Sequence, residues 1–414
     1  MSDRALDDVD FMDSPSWDES MAGRMEKLRA LDHVVWSEAT RAWLIVKYDD
    51  VSAISRNQEV FTSTRGVRRS TSGVRIGLLD EPEPRHGQLR RLIQRGFTPS
   101  MVRTLEAAFQ SIVDQHVGRV LVAGRCDFVG DIAVPLPLIL IAEMIGIRAE
   151  DFDRFHAWSD ALIAADGNYD RPEIMERSLT AFVEYAAYVS EIIEDRRVHP
   201  RDDLVSILVG AKDAGTLVDR TDDDVDQWAG EGSGVSEMPT DELIMFLVLI
   251  LVAGNETTRN AMSGGMQLLI DNPDQRERLA ANPDLMPSAV DEMLRLTSPV
   301  HSFTRTLTRD IEFGGSSMSE GDDVLMLYPS ANRDAAQFEH PDAFLVDRAP
   351  KHLAFGIGPH FCLGASLARM EMQVVFTTVL QRMSDFAYVD GGPVIAPSAL
   401  VRNCTSLEMT FITR

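Results

Sequence analysis

Residues 243–253, LIMFLVLILVA, form the longest uninterrupted apolar run of the chain, and it passes directly into Gly254-Asn255-Glu256-Thr257-Thr258. A helix that is apolar on every side is stable only where other elements cover all of it. The run is shorter than the about 20 residues that a membrane span requires, so it predicts a helix through the middle of a large core and no bilayer crossing. The chain has the material for such a core, with 414 residues of which 44% are apolar, although a formal charge of −25 adds self-repulsion. No long Ser/Gly-rich or Pro-rich linker and no internal repeat divides the sequence, and a single domain over residues 1–414 is expected.

Helical periodicity dominates. From Thr98 to Ile147 and from Ala149 to Val198 apolar residues recur at intervals of three and four, with Pro and Gly at the ends. Strand signals are few and short: WLIV at 43–46, VLMLY at 324–328, FAYVD at 386–390 and LEMTFIT at 407–413. The fold class is therefore mainly α with small β portions. Residues 213–240 are acidic, contain Gly and lack periodicity, which reads as a surface loop.

Composition also excludes functions. The acidic balance argues against nucleic acid as a partner, since phosphate attraction depends on clustered Lys and Arg. The N-terminal segment MSDRALDDVDFMDSPSWDES lacks the basic and apolar stretches of a signal peptide, and three cysteines without a CxxC pair argue against a disulfide framework or structural zinc; a reducing cytoplasm fits. Local basic clusters remain, at Arg65, Arg68, Arg69 and Arg75 and at Arg90, Arg91 and Arg95. These are sites for anions or solvated faces.

The chemistry concentrates in Phe355-Gly356-Ile357-Gly358-Pro359-His360-Phe361-Cys362-Leu363-Gly364, just ahead of a helix expected near Ala365. Two glycines able to take positive φ and a rigid proline build a tight turn around one cysteine. A helix N-terminus favours thiolate and is expected to lower the thiol pKa. The residues alone allow a nucleophile, a metal ligand or a small buried hydrophobe. A cysteine hydrolase using His360 and Cys362 is disfavoured, because side chains two apart on a tight turn rarely face each other.

At every defined position, F-G-x-G-x-H-x-C-x-G resembles the haem-binding loop of the cytochrome P450 family. The resemblance implies that Cys362 is the thiolate ligand of haem b, that Phe355 packs beside the sulfur and that His360 reaches a haem propionate. Thiolate ligation pushes electron density onto iron and favours O–O cleavage. In SAVDEMLRLTSP, Glu292 and Arg295 are three apart on a helical face and resemble the E-x-x-R motif of this family, with Arg348 as third member of a structural ion-pair network. Ala253-Gly254-Asn255-Glu256-Thr257-Thr258 resembles the I-helix motif. By itself the threonine hydroxyl could bond back to a carbonyl one turn earlier. The family implies instead that Ala253 and Gly254 leave room for O2 and that Glu256 and Thr257 deliver protons. His86 and Arg90, four apart after an acidic Pro-containing turn, and Arg305 on a following strand resemble the groups that hold haem propionates. The motifs span residues 80–372 or so, most of the chain.

The resemblance implies a soluble monooxygenase that inserts one oxygen atom from O2 into an apolar small molecule. The acid–alcohol pair favours O2-dependent hydroxylation over peroxide-driven chemistry and over the alternative of a non-catalytic haem-binding sensor or carrier. AGNETTRN resembles the bacterial groups that oxidise sterols and methyl-branched lipids, so a steroid, terpenoid or branched fatty chain is expected. By position, Leu249, Val300, His301, Phe303, Leu400 and Val401 should line the substrate pocket, with His301 as a polar contact. Nothing after the Cys362 helix is long enough for a flavin or iron–sulfur unit; electrons are expected from a ferredoxin and its NAD(P)H-dependent reductase, docking near Arg90, Arg91 or Arg95.

Overall fold

The computed structural model describes residues 9–68, 77–97, 99–166, 168, 170–210 and 238–414. Arg69, Arg75 and positions 213–237 of the expected acidic loop lie outside the described residues, and Thr240 already begins a helix.

The apolar run becomes part of the central helix Thr240–Asp271, 32 residues long. Asp241 and Glu242 in its first turn complement the positive end of the helix dipole. Small residues let neighbours close on it. A Cβ at Gly264 would lie 2.2 Å from Cγ2 of Thr297, on the helix Met286–Thr297, and one at Gly265 would lie 2.7 Å from Cζ of Phe376, on the helix Ala365–Arg382. On the other side, a Cβ at Gly254 would lie 2.7 Å from Cδ1 of Ile141, on the helix Pro135–Ile145. These approaches, with the helices Pro99–Leu121, Phe152–Ala164 and Pro172–Val198, form the large helical core.

The β portion is mostly one five-stranded sheet, in the order Val35–Ser37, Ala42–Ile45, Asp323–Leu327, Ser302–Leu307, Phe61–Thr62. Its second and third strands are parallel and its other neighbours antiparallel. Alternation fills both faces: Leu325 and Leu327 join Phe11, Trp17 and Leu44 on one side, while Val324 and Met326 join Ile45, Val51 and Ile54 on the other. A three-stranded sheet joins Arg125–Asp127, Glu408–Thr413 and Met383–Tyr388. Its first strand lies within the stretch read as helical. Three residues are too few to imprint a period, and the partner that makes them a strand, Met409 opposite Cys126, is remote in sequence.

A cavity between a thiol loop and the central helix

The Cys362 loop has the backbone its glycines predict. Gly356 and Gly358 have φ of 65° and 78°. At Gly358 the absence of a side chain is also a matter of space, since a Cβ would lie 2.6 Å from the carbonyl oxygen of Ser55. The Cys362 amide donates to Phe355 O at 2.9 Å and the Phe361 amide to Gly358 O at 3.0 Å, so the loop folds back on itself before the helix Ala365–Arg382. The expected lowering of the thiol pKa does not prevail. Burial pushes Cys362 up, and the amides of Gly364 and Ala365 with the charges of Arg90 and Arg369 only moderate the rise.

Above the thiol lies a cavity that, with its open mouth, encloses about 1600 Å³. One edge is basic. His86 and Arg90, on the helix Arg85–Ile93, meet Arg305 and His360 there. The His86 and His360 rings are 4.2 Å apart. His86 Nδ1 is 2.8 Å from Glu83 Oε1, but its buried Nε2 has no hydrogen-bond partner among the described residues. Burial, reinforced by Arg305, His86 and Arg90, pushes His360 down to about 2. Arg305 is 5% exposed, donates to Thr304 O at 2.7 Å and makes no ion pair among the described residues. Arg90 Nη2 donates to Phe361 O at 2.5 Å. A buried guanidinium with no acid bonded to it among the described residues, only the more distant charge of Asp80, calls for an anion.

The central helix forms the opposite wall. Ala253, Gly254, Thr257 and Thr258 line the cavity, as i, i+4 neighbours on one face do. Ala253 is exposed although it sits in the middle of the molecule, because its methyl group faces open space. Thr257 Oγ1 donates back to Ala253 O at 2.5 Å. Glu256 is different: it is absent from the lining and points to the helix Phe152–Ala164. It is 1% exposed and pairs with Arg259 at 2.7 Å; Arg259 also lies 3.6 Å from the half-exposed Asp160. Burial, against the pull of Arg259, pushes Glu256 up to about 7.

That shift predicts a pH effect. Between the ordinary carboxylate range and about 7 the unfolded chain has released this proton while the folded chain still holds it, so the folded state binds more protons and stability falls as pH rises. A Glu256→Gln variant carries no such dependence. Its melting temperature relative to the parent should be higher at pH 8 than at pH 5; an equal difference at both pH values would contradict the shift.

Of the pocket residues expected from sequence, Leu249, Val300 and Phe303 line the cavity, whereas His301, Leu400 and Val401 do not. His301 turns away from the cavity that its neighbour Val300 faces because its ring has partners elsewhere. The His301 ring stacks on Trp17 at 3.9 Å, its Nδ1 bonds Ser398 O at 3.0 Å, and burial pushes it down to about 3. Leu400 O accepts the His301 amide at 2.8 Å, and Val401 bridges Val300 from a buried position. Arg68 is not free to meet a substrate, for it pairs with Asp166 at 2.7 Å and donates to Ser302 Oγ at 3.0 Å. Arg65 is exposed. Sequence reasoning missed Glu371, which lines the cavity and is pushed up to about 8 by burial; an acid set among the apolar residues of RMEMQVVF was its signal.

Behind the thiol loop, Glu292 and Arg295 are fully buried and bonded twice, Nε to Oε2 at 2.7 Å and Nη2 to Oε1 at 2.8 Å. Arg348 Nε adds a bond to Oε1 at 2.8 Å, and Arg295 Nη1 donates to the carbonyls of Asn332 and Pro341 at 2.7 and 2.6 Å. The three expected members thus form one network. It ties the helix Met286–Thr297 to the segment that leads into the thiol loop.

A family model described as Cytochrome P450 matches residues 154–388. The steroid C26-monooxygenase of Mycolicibacterium smegmatis is 33% identical over 406 residues, 98% of this chain and 96% of its own length. The methyl-branched lipid omega-hydroxylase of Mycobacterium bovis is 36% identical over 380 residues, 89% and 84% of the two chains. Among solved structures, Mycobacterium marinum cytochrome P450 CYP268A2 in complex with pseudoionone matches with a TM-score of 0.86 at 31% identity, covering 98% of each chain. Likeness of this extent in both sequence and fold, around a cavity with a thiol below and a basic edge beside it, leaves one family: the chain is a cytochrome P450 and a monooxygenase of that family.

Proposed function

We propose that the chain is a haem b monooxygenase that hydroxylates an apolar steroid or methyl-branched lipid chain. The observation that carries this reading is the pairing, in one cavity, of the Cys362 thiol with Arg305, a buried cation without an ion pair among the described residues. The residues fit haem: a sulfur for the iron, and a basic edge with an unpartnered buried nitrogen on His86 for the two acidic side chains of the ring. In this reading Cys362 holds the iron, Phe355 covers the sulfur, and His86, Arg90, Arg305 and His360 hold the propionates. Bound haem supplies the electron transfer and oxygen activation.

The chain's own residues do the rest. Cys362 gives up its proton on ligation, and the amides of Gly364 and Ala365 with Arg90 and Arg369 stabilise the negative sulfur. Ala253 and Gly254 keep side-chain bulk away from the reacting centre. Hydroxylation of a C–H bond by O2 consumes two electrons and two protons and releases water. The Thr257 hydroxyl, in the lining, holds a proton there, and Glu256, titrating near neutrality behind it, gives and takes up protons as its store, with Arg259 and the half-exposed Asp160 on its surface side orienting it. We assign electron delivery to a ferredoxin and its reductase, for which exposed Arg91, next along the helix to the Arg90 that contacts the thiol loop, is a docking charge.

Phe97, Ile141, Met144, Leu249, Val300 and Phe303 give the cavity an apolar wall that suits a hydrocarbon skeleton. The activities for which the relatives are named, on steroids and methyl-branched lipids, support the same class. Among the described residues no helix is long and apolar enough to cross a membrane. The test is to titrate holoprotein with sterols, methyl-branched fatty chains, terpenes and short polar alcohols, following the change of haem spin state and then the hydroxylated product. Sterols or branched chains should bind and be hydroxylated in preference to the polar set; binding confined to the polar set would contradict the assignment.

A further inference from the structure

Asp291 stands one residue before Glu292 on the same helix and takes no part in the buried network. Its Oδ1 accepts from Arg369 Nε at 2.7 Å and from His352 Nε2 at 3.3 Å. Both partners lead to Phe355. The Arg369 guanidinium lies 4.6 Å from the centre of the Phe355 ring, and the His352 ring is 5.6 Å from it. His352 Nδ1 accepts the backbone N–H of Ala354 at 3.1 Å. A backbone amide only donates, so Nδ1 is bare, the ring proton sits on Nε2, and Nε2 donates to Asp291. Phe355 in turn accepts the amide of Cys362 at 2.9 Å. One carboxylate therefore fixes the ring face of Phe355 through Arg369 and the backbone approaching it through His352.

The same carboxylate balances charge. The charge of Arg369, like that of Arg90, acts on the Cys362 sulfur. Asp291 is the acid bonded to Arg369, and burial, which opposes its charge, is outweighed by the bonds from His352 and Arg369, which hold it below the usual carboxylate range and ionised at neutral pH.

We propose that Asp291 is a positioning residue for the sulfur side of the cavity, holding Phe355 in place and offsetting Arg369, and that it thereby sets the reduction potential of haem bound at Cys362. The proposal rests on the reading of Cys362 as the iron ligand. Adding an electron to the haem adds negative charge, which nearby positive charge favours. Asp291→Asn leaves Arg369 unbalanced and should move the midpoint potential to more positive values; Arg369→Gln should move it the other way. The double variant, in which two shifts of opposite sign offset each other, should lie near the parent. Asp291→Glu keeps the charge and should restore most of the parent value.

Spectroelectrochemical titration of the parent and the four variant holoproteins at one pH reads these shifts. A purely structural role would lower haem content or melting temperature without shifts of opposite sign. An Asn variant with the parent potential and an intact thiolate band in its reduced CO complex would overturn the proposal, as would a shift to more negative values. Should the Asn variant fail to take up haem, Arg369→Gln and Asp291→Glu decide: a parental potential in the first, or a displaced one in the second, overturns it. Absence of the thiolate band in the parent itself would instead remove the reading of Cys362.

Discussion

Replacing Glu292 by Gln should give a protein that no longer retains haem. The carboxylate is wholly buried and is bonded to two guanidiniums, those of Arg295 and Arg348. Without its charge, two cations remain in the interior beside an amide that can accept but not neutralise. Breaking a buried pair from one side costs about 3–5 kcal/mol, and a whole domain is stable by only about 5–15 kcal/mol. The loss falls where it matters to the cofactor, because Arg348 and the carbonyls bonded to Arg295 belong to the segment that leads into the Cys362 loop. Haem per chain and melting temperature, measured on protein purified side by side with the parent, check the expectation. Near-zero haem and a melting temperature several degrees lower are predicted; full haem with unchanged melting would show that the network is dispensable. Arg348→Lys, which keeps a charge but not the fork of bonds, should fall between the two.

The second large effect is expected at the sulfur. On the proposed assignment Cys362→Ser exchanges a soft ligand for a hydroxyl that stays protonated, and hydroxylation of any substrate accepted by the parent should fall at least about a hundredfold, given that even the residues behind a metal ligand carry about 10–100-fold. Cys404→Ala is the control. Cys404 is buried and bonded through its backbone to Asn260, outside the cavity lining, so its loss should alter stability and leave turnover per haem unchanged. Equal turnover in Cys362→Ser and the parent would contradict the assignment of the ligand.

The parts legible in the sequence were those set by local spacing. The glycines, proline and cysteine of the loop act within one turn, Glu292 and Arg295 meet because residues three apart on a helix share a face, and His86 and Arg90 reach one edge for the same reason. Direction across a longer distance was not legible. Glu256 and Thr257 are adjacent, yet a helix turns about 100° per residue, and only the helix Phe152–Ala164, with Asp160 beside Arg259, determines that the acid faces away from the cavity. His301 and Val300 differ in the same way on an extended segment, where Trp17 claims the ring. Arg68 read as a loop cation because its partner, Asp166, lies in another part of the chain. At Cys362 two opposing effects were both foreseeable in kind, but the helix end was visible in the sequence and the depth of burial was not.

The central claim is that Cys362 binds haem iron as a thiolate. The most direct test is the absorption spectrum of the reduced, CO-bound holoprotein, recorded for the parent and for Cys362→Ser. A strongly red-shifted Soret band in the parent that is lost in the variant is predicted. A parent spectrum without that shift, or a shift that survives the substitution, would contradict the claim.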